Sequence, residues 1–384
     1  MSGHGHSLAR DICADLGGPI VEQPLDREHG GDIYAWAKKA RIDPAEIIDF
    51  SASINALGPP VCARQAFQRS CTEVLRYPDP YAEELKEALA KHHGMKPAEI
   101  LVGNGSTQLI YLLCSALRPR KALVVAPAFS EYANALKLAG AKVGFLSLAV
   151  DEDFEFSTEK FMAAWRKDRS IAFLTTPNSI TGQLIPRAEI EKIAHSALLE
   201  RRFLVIDEAF IDFVEGESVK HLIPDNPYVI ILRSLTKYYA LPGLRLGYLL
   251  AHSRRITQWA AHLEPWSVNG PAQKVALACL ADRNFGLKTE RWLYRERNFL
   301  TRALIGIKGL EPYPSSTNFL LVRIANRGSV LELRSFLLRR KILIRACNSF
   351  AGLGSDHFRV AVRRRNDNWL LLAALREWAA ESLR

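Results

Sequence analysis

From about residue 78 the chain repeats one pattern: a short run of Val, Ile, Leu or Phe, then a polar or Gly/Pro cluster, then an amphipathic helical stretch. Nothing else constrains its fold as strongly. Runs that are apolar throughout suit strands buried on both faces, and helices between them suit crossovers. The pattern therefore predicts an α/β domain on a mostly parallel, seven-stranded sheet, with strands near 100–102, 122–126, 143–148, 171–175, 203–206, 229–232 and 246–250. Several of these runs end at once in Gly103-Asn104-Gly105, Pro127, Thr176-Pro177-Asn178, Asp207-Glu208 or Arg233-Ser234. Ligands bind beyond the carboxyl ends of strands in such sheets, so these clusters are expected to converge on one site.

Other signals divide the chain. Residues 1–28 carry little periodicity and read as an N-terminal arm, and 29–60 as a segment joining a smaller domain. A large domain spans 61–265. Within it Asp79 and Pro80 are expected to open a helix that turns Tyr81, Leu85 and Leu89 inward and stops at Gly94. Residues 266–384 read as a smaller α+β domain: a long Arg-rich helix over 285–305, strands near 318–323, 342–345 and 357–362, and a closing helix after Asn366.

At 384 residues and 48% hydrophobic content, the chain buries enough apolar surface to need no disulfide or metal staple. Its six cysteines (Cys13, Cys62, Cys71, Cys114, Cys279, Cys347) form no C-x-x-C pair and read as reduced, buried thiols. No long apolar run or leader pattern occurs, so a cytoplasmic protein without membrane contact is expected. Lys plus Arg number 51 against 41 Asp plus Glu, a surplus of +10 that suits nucleic acid, an anionic membrane or a small anionic substrate. The densest basic run, Arg363-Arg364-Arg365, has no interleaved aromatic and reads as a solvated face, which leaves the small anion and no nucleic acid. His4, His6, His92 and His93 lack partners at ligand spacing, so no metal is assigned.

The most informative stretch runs from Ser234 to Tyr248. Lys237 follows a strand and lies in a segment with no other charge before Arg245, the setting in which a lysine amine is desolvated into a nucleophile. With Ser234 three residues before that lysine and Arg245 eight after it, the chain resembles the fold type I pyridoxal-phosphate enzymes. That resemblance implies a pyridoxal 5'-phosphate cofactor joined to Lys237. Ser234, Arg245 and the turn Gly105-Ser106-Thr107 would hold its phosphate on a helix N-terminus. Asp207 would pair with the pyridine nitrogen, although a carboxylate there could instead cap a helix, while Glu208 would point elsewhere. Asn178 would bond the phenolic oxygen. Phe129 would stack on the ring, or simply pack in the core. Arg359 would grip a substrate carboxylate, with Arg363 as its competitor.

Within that group the markers His29-Gly30-Gly31, Asp49-Phe50-Ser51-Ala52-Ser53-Ile54-Asn55, Leu57-Gly58-Pro59-Pro60, Arg76-Tyr77-Pro78-Asp79 and Phe129-Ser130-Glu131-Tyr132 resemble the threonine-phosphate decarboxylases of cobalamin biosynthesis first and the histidinol-phosphate aminotransferases second. The first implies decarboxylation of L-threonine O-3-phosphate to (R)-1-amino-2-propanol O-phosphate, the second transamination of a phosphorylated amino acid. Substrate contacts would fall to His29, Ser53, Asn55, Tyr77 and Arg359. Tyr77 would come from the neighbouring subunit of a homodimer, or serve as a turn residue. The chain departs from these families at Asp32 and Ser53 (usually Asn), Ala56 (usually Pro) and Ser179-Ile180 (usually Asn-Pro).

Overall fold

The computed structural model describes residues 29–325 and 328–382. The arm expected over 1–28, with His4, His6 and Cys13, lies outside them. After a short strand β1 (Ile48–Asp49) come the seven strands that the apolar runs predict: β2 (Ile100–Gly103), β3 (Lys121–Ala126), β4 (Lys142–Ser147), β5 (Ile171–Thr175), β6 (Phe203–Asp207), β7 (Val229–Ser234) and β8 (Gly247–Ala251). They form one sheet in the order β2-β8-β7-β6-β5-β3-β4. Its pairs are parallel except at β8, which runs antiparallel to β2 and β7.

Successive side chains leave a strand on opposite faces. Leu204 and Ile206 accordingly join one apolar cluster with Val102, Leu174 and Ile231, while Val205 joins another with Val124, Phe173 and Ile230. Helices Glu83–His93, Arg187–Glu200 and Gly270–Ala281 cover the first face through Leu85, Ile190 and Val275. Helices Gly105–Leu117 and Ser130–Leu138 cover the second through Leu109, Leu113 and Leu136. Burial on both sides is why the runs are apolar throughout.

The C-terminal part holds β9 (Leu310–Pro312), β10 (Phe319–Ile324), β11 (Ile342–Leu343), β12 (Arg345–Ala346) and β13 (His357–Ala361). Four of these make an antiparallel sheet, β12-β13-β10-β9, packed with helices Arg283–Ile305 and Arg365–Ser382 through Leu300, Leu320, Phe358, Leu371 and Leu375. The strand expected over 342–345 is split at Ile344: β11 pairs in parallel with β1, and β12 pairs with β13. Phe50 joins this cluster, and its carbonyl accepts from the Ala361 N–H at 2.8 Å. These bonds fasten the 48–55 segment beside β13 and Lys237.

Three further expectations are corrected. The helix near Asp79 begins at Glu83, because Ala82 takes a left-handed φ of 53° and Asp79 reaches over that turn to accept from the N–H groups of Tyr81 and Glu83. Tyr81 consequently stays exposed, while Leu85 and Leu89 are buried and Gly94 ends the helix at φ 68°. Arg363, Arg364 and Arg365 are not a free solvated face. They bond the carbonyls of Asp49, Ala56 and Leu57 and the carboxylates of Asp367 and Glu296, fastening the last helix. Cys71 is exposed and Cys62 half-buried, so only Cys114, Cys279 and Cys347 are buried thiols.

One glycine is set by close approach. A Cβ on Gly247 would stand 2.3 Å from the Ser106 nitrogen, where β8 passes under the start of the 105–117 helix. Gly247→Ala is expected to lower unfolding stability by about 1–3 kcal/mol, the usual cost of overpacking. A urea titration measures it.

Candidate active site

Register aligns the chemistry along one edge of the sheet: Gly103 pairs with Gly247, Gly247 with Ser234, and Asp207 with Thr175. Ser234 ends β7 and its hydroxyl caps the single turn Leu235–Tyr238, which carries Lys237. The Lys237 amine donates to the Thr236 hydroxyl at 3.0 Å, and its backbone carbonyl accepts from the Asn55 N–H at 3.0 Å. Burial pulls the Lys237 amine down to about 8. The Asp207 carboxylate works against that, and the Arg245 and Arg359 guanidinium groups add to it.

Asp207 is buried at the end of β6, where one carboxylate oxygen accepts from the Tyr132 hydroxyl at 2.6 Å and the other from the Ala209 N–H at 2.8 Å. Burial raises its pKa against both bonds and against Lys237, so this carboxyl is short of positive charge. Glu208 leaves the strand on the opposite face and bonds Arg233 and Ser218. Burial also holds the Tyr132 phenol well above its usual range, so it remains a donor.

On the β2 and β8 side, Gly105 adopts φ +80° and opens the helix, leaving the N–H groups of Ser106 and Thr107 in its first turn. A Cβ on Gly105 would lie 2.8 Å from an Arg245 terminal nitrogen. The guanidinium is thereby held against that turn, with one bond to the Pro242 carbonyl at 3.3 Å. Phe129 lies half-buried, edge-on to Tyr132 at 5.8 Å and 5.9 Å from the His29 ring, and His29 stands 3.6 Å from Glu131. Arg359 bridges two loops, donating to the carbonyls of Ser179 and of Ser51. Its Nε has no protein partner, nor has the buried hydroxyl of Ser53.

Four expected site residues sit differently. The Asn55 carboxamide is used up on Tyr238 O, Thr289 Oγ1 and the Leu57 N–H, so it anchors the loop beneath Lys237 instead of meeting a substrate. The Asn178 oxygen accepts from the Ile180 and Thr181 N–H groups and its nitrogen donates to Pro127 O, so it braces its own loop. Arg363 is drawn away to Asp49 and Asp367. Tyr77 is 82% exposed against Trp266, outside this chain's cluster. Tyr132, Thr175 and Ser179 carried no assigned role in the sequence; the three-residue spacing from Phe129 to Tyr132 is the one available signal.

A family model for aminotransferase class I and II matches residues 45–374. The chain belongs to that family. It is 39% identical over 352 residues to the threonine-phosphate decarboxylase of Salmonella typhimurium, covering 91% of this chain and 95% of that protein. Among solved structures it superposes on the histidinol-phosphate aminotransferase of Clostridium acetobutylicum with a TM-score of 0.80, and on the L-threonine-O-3-phosphate decarboxylase of Porphyromonas gingivalis with 0.77. Both are 28% identical, and each match covers 86% of this chain and 99% of the other. No described helix of this aminotransferase-family chain is long and apolar enough to cross a membrane.

The cofactor of the family is pyridoxal 5'-phosphate, and the residues present fit it. Lys237 offers an amine close to neutrality, as covalent capture of an aldehyde requires. Asp207 lacks the cation that a protonated pyridine nitrogen supplies, and the first turn at Gly105 with Arg245 is a seat for a phosphate.

Proposed function

We propose that this chain is a pyridoxal-phosphate-dependent decarboxylase of L-threonine O-3-phosphate, releasing carbon dioxide and (R)-1-amino-2-propanol O-phosphate. The observation that carries this reading is the Lys237 amine held near neutrality between Asp207 and two arginines, Arg245 and Arg359, in a chain 39% identical to a threonine-phosphate decarboxylase. Lys237 holds the cofactor covalently, Asp207 pairs with its ring nitrogen, Phe129 packs on the ring, and Gly105, Ser106, Thr107, Ser234 and Arg245 take its phosphate. Once bound, the cofactor draws electrons from the substrate Cα so that a bond there can break. Arg359 holds the substrate carboxylate as a fork and so fixes which bond at Cα is turned for cleavage. The Lys237 amine then returns a proton to Cα.

His29 and the unpartnered Ser53 hydroxyl take the substrate phosphate. Asp32 does not oppose them, since its carboxylate caps helix Ile33–Ala40 by accepting from the Ala35 N–H. Val74, Leu75, Tyr77, Tyr81 and Trp266 form an exposed apolar cluster, which a second copy of the chain covers while Tyr77 reaches into that copy's site. The working location is the cytoplasm.

Incubation with threonine phosphate and no keto acid tests the reaction, with carbon dioxide and the amine expected. The superposition on a histidinol-phosphate aminotransferase favours a second reading, which requires turnover to depend on a keto-acid acceptor.

Cofactor capture has its own pH signature. Lys237 must be neutral to attack, so the rate of uptake by the apoenzyme rises about tenfold per pH unit up to about 8 and then levels off. At pH 7 an amine at about 8 is about 300-fold more available than one at the usual lysine value of 10.5. Stopped-flow absorbance against pH reads this directly.

A further inference from the structure

We infer that Ser179, and not Asn178, supplies the hydrogen bond received by the cofactor's phenolic oxygen; the inference rests on the cofactor reading above. The loop after β5 presents two adjacent polar side chains, and the structure commits one of them. The Asn178 oxygen accepts two backbone N–H groups at 2.8 and 3.0 Å, and its nitrogen donates to Pro127 O at 3.0 Å. Its backbone is bound as well, to Gln183 O and the Gly182 N–H. Removing Asn178 would release the loop. The Ser179 hydroxyl, by contrast, is buried with no protein partner, although its own carbonyl is engaged by Arg359. Buried hydroxyls are seldom left unpaired, so this one points to a missing acceptor.

Sheet order says which acceptor. The phosphate seat is built from the ends of β2, β8 and β7, on one side of Asp207 at the end of β6. The 176–182 loop follows β5, on the other side. In pyridoxal phosphate the phosphate arm and the phenolic oxygen flank the aldehyde carbon, so they lie on opposite sides of the line from that carbon to the ring nitrogen. With the nitrogen at Asp207 and the aldehyde carbon at Lys237, a phosphate near Arg245 turns the phenolic oxygen toward the β5 loop. Ser179 is the group in that loop with an unspent hydroxyl. A hydroxyl donated to the phenolate stabilises the deprotonated, lysine-bound chromophore and holds its titration midpoint down.

The test is the pH titration of visible absorbance in purified holoenzyme, without substrate. Ser179→Ala is expected to raise the midpoint by about one pH unit, the scale of one charge-assisted hydrogen bond lost from one protonation state. Ser179→Asn, whose amide donates again, is expected to move it back toward wild type. Should Ser179→Ala not fold, Ser179→Cys, a weak donor of similar volume, carries the same upward shift. A folded, yellow Ser179→Ala protein titrating at the wild-type midpoint overturns the inference and leaves the cofactor reading intact. An unchanged midpoint with weakened binding of threonine phosphate, but not of the carboxylate-free aminopropanol phosphate, also overturns it and assigns the hydroxyl to the substrate carboxylate. A wild-type protein that takes up no cofactor and never turns yellow overturns both.

Discussion

Lys237→Ala is expected to abolish turnover, with kcat falling by at least about four orders of magnitude, since one substitution removes both the covalent nucleophile and the group that carries the Cα proton. The variant should also show no yellow absorbance that borohydride can fix to the chain. The fold is expected to survive. The backbone bond from Asn55 to the residue 237 carbonyl does not depend on the side chain, and the amine lost is one that burial already disfavours in its charged form. A circular-dichroism melt alongside the kinetics separates loss of chemistry from loss of structure. Turnover that persists in a folded Lys237→Ala protein sinks the proposed function.

Asp207→Ala is the second large effect. The change removes the only charge available to a protonated ring nitrogen and leaves the Tyr132 hydroxyl and the Ala209 N–H without their acceptor. Breaking a buried ion pair from one side costs about 3–5 kcal/mol. Expressed in the transition state, that is a loss of kcat of about two to three and a half orders of magnitude. A second readout follows from the same charge. Asp207 is what holds the Lys237 amine up against burial and two arginines, so its removal moves the plateau of cofactor uptake to lower pH. An uptake profile unchanged from wild type would break the link between the two residues. Asp207→Asn keeps the shape without the charge and should resemble the alanine variant in kcat, but not in stability.

The layers of the fold were legible because their cause is local. Strand runs such as 203–206 and 229–232 are apolar at every position, and only a sheet covered on both faces asks for that. Boundaries that depend on a turn were less legible. The helix after Asp79 begins at Glu83 because Ala82 accepts a left-handed backbone, a choice no propensity of alanine announces. The 342–345 run is split because its two ends find different partners, β1 and β13.

What the sequence determined by itself is the type of chemistry: a lysine alone in an uncharged stretch after a strand, with a carboxylate ending a neighbouring strand and a glycine turn opening a helix. Spacing and charge along a line suffice for that. Which of two neighbouring polar side chains faces the cleft was decided by the tertiary structure. Asn178 is claimed by Pro127, 51 residues away, which leaves Ser179 free, and Arg359 is aimed by Ser51, 308 residues away. Asn55 is likewise claimed by Thr289 across 234 residues, while Ser53 beside it has no protein partner. A hydrogen-bonding group goes to whichever partner folding brings within about 3 Å, and that distance is a property of the packed chain.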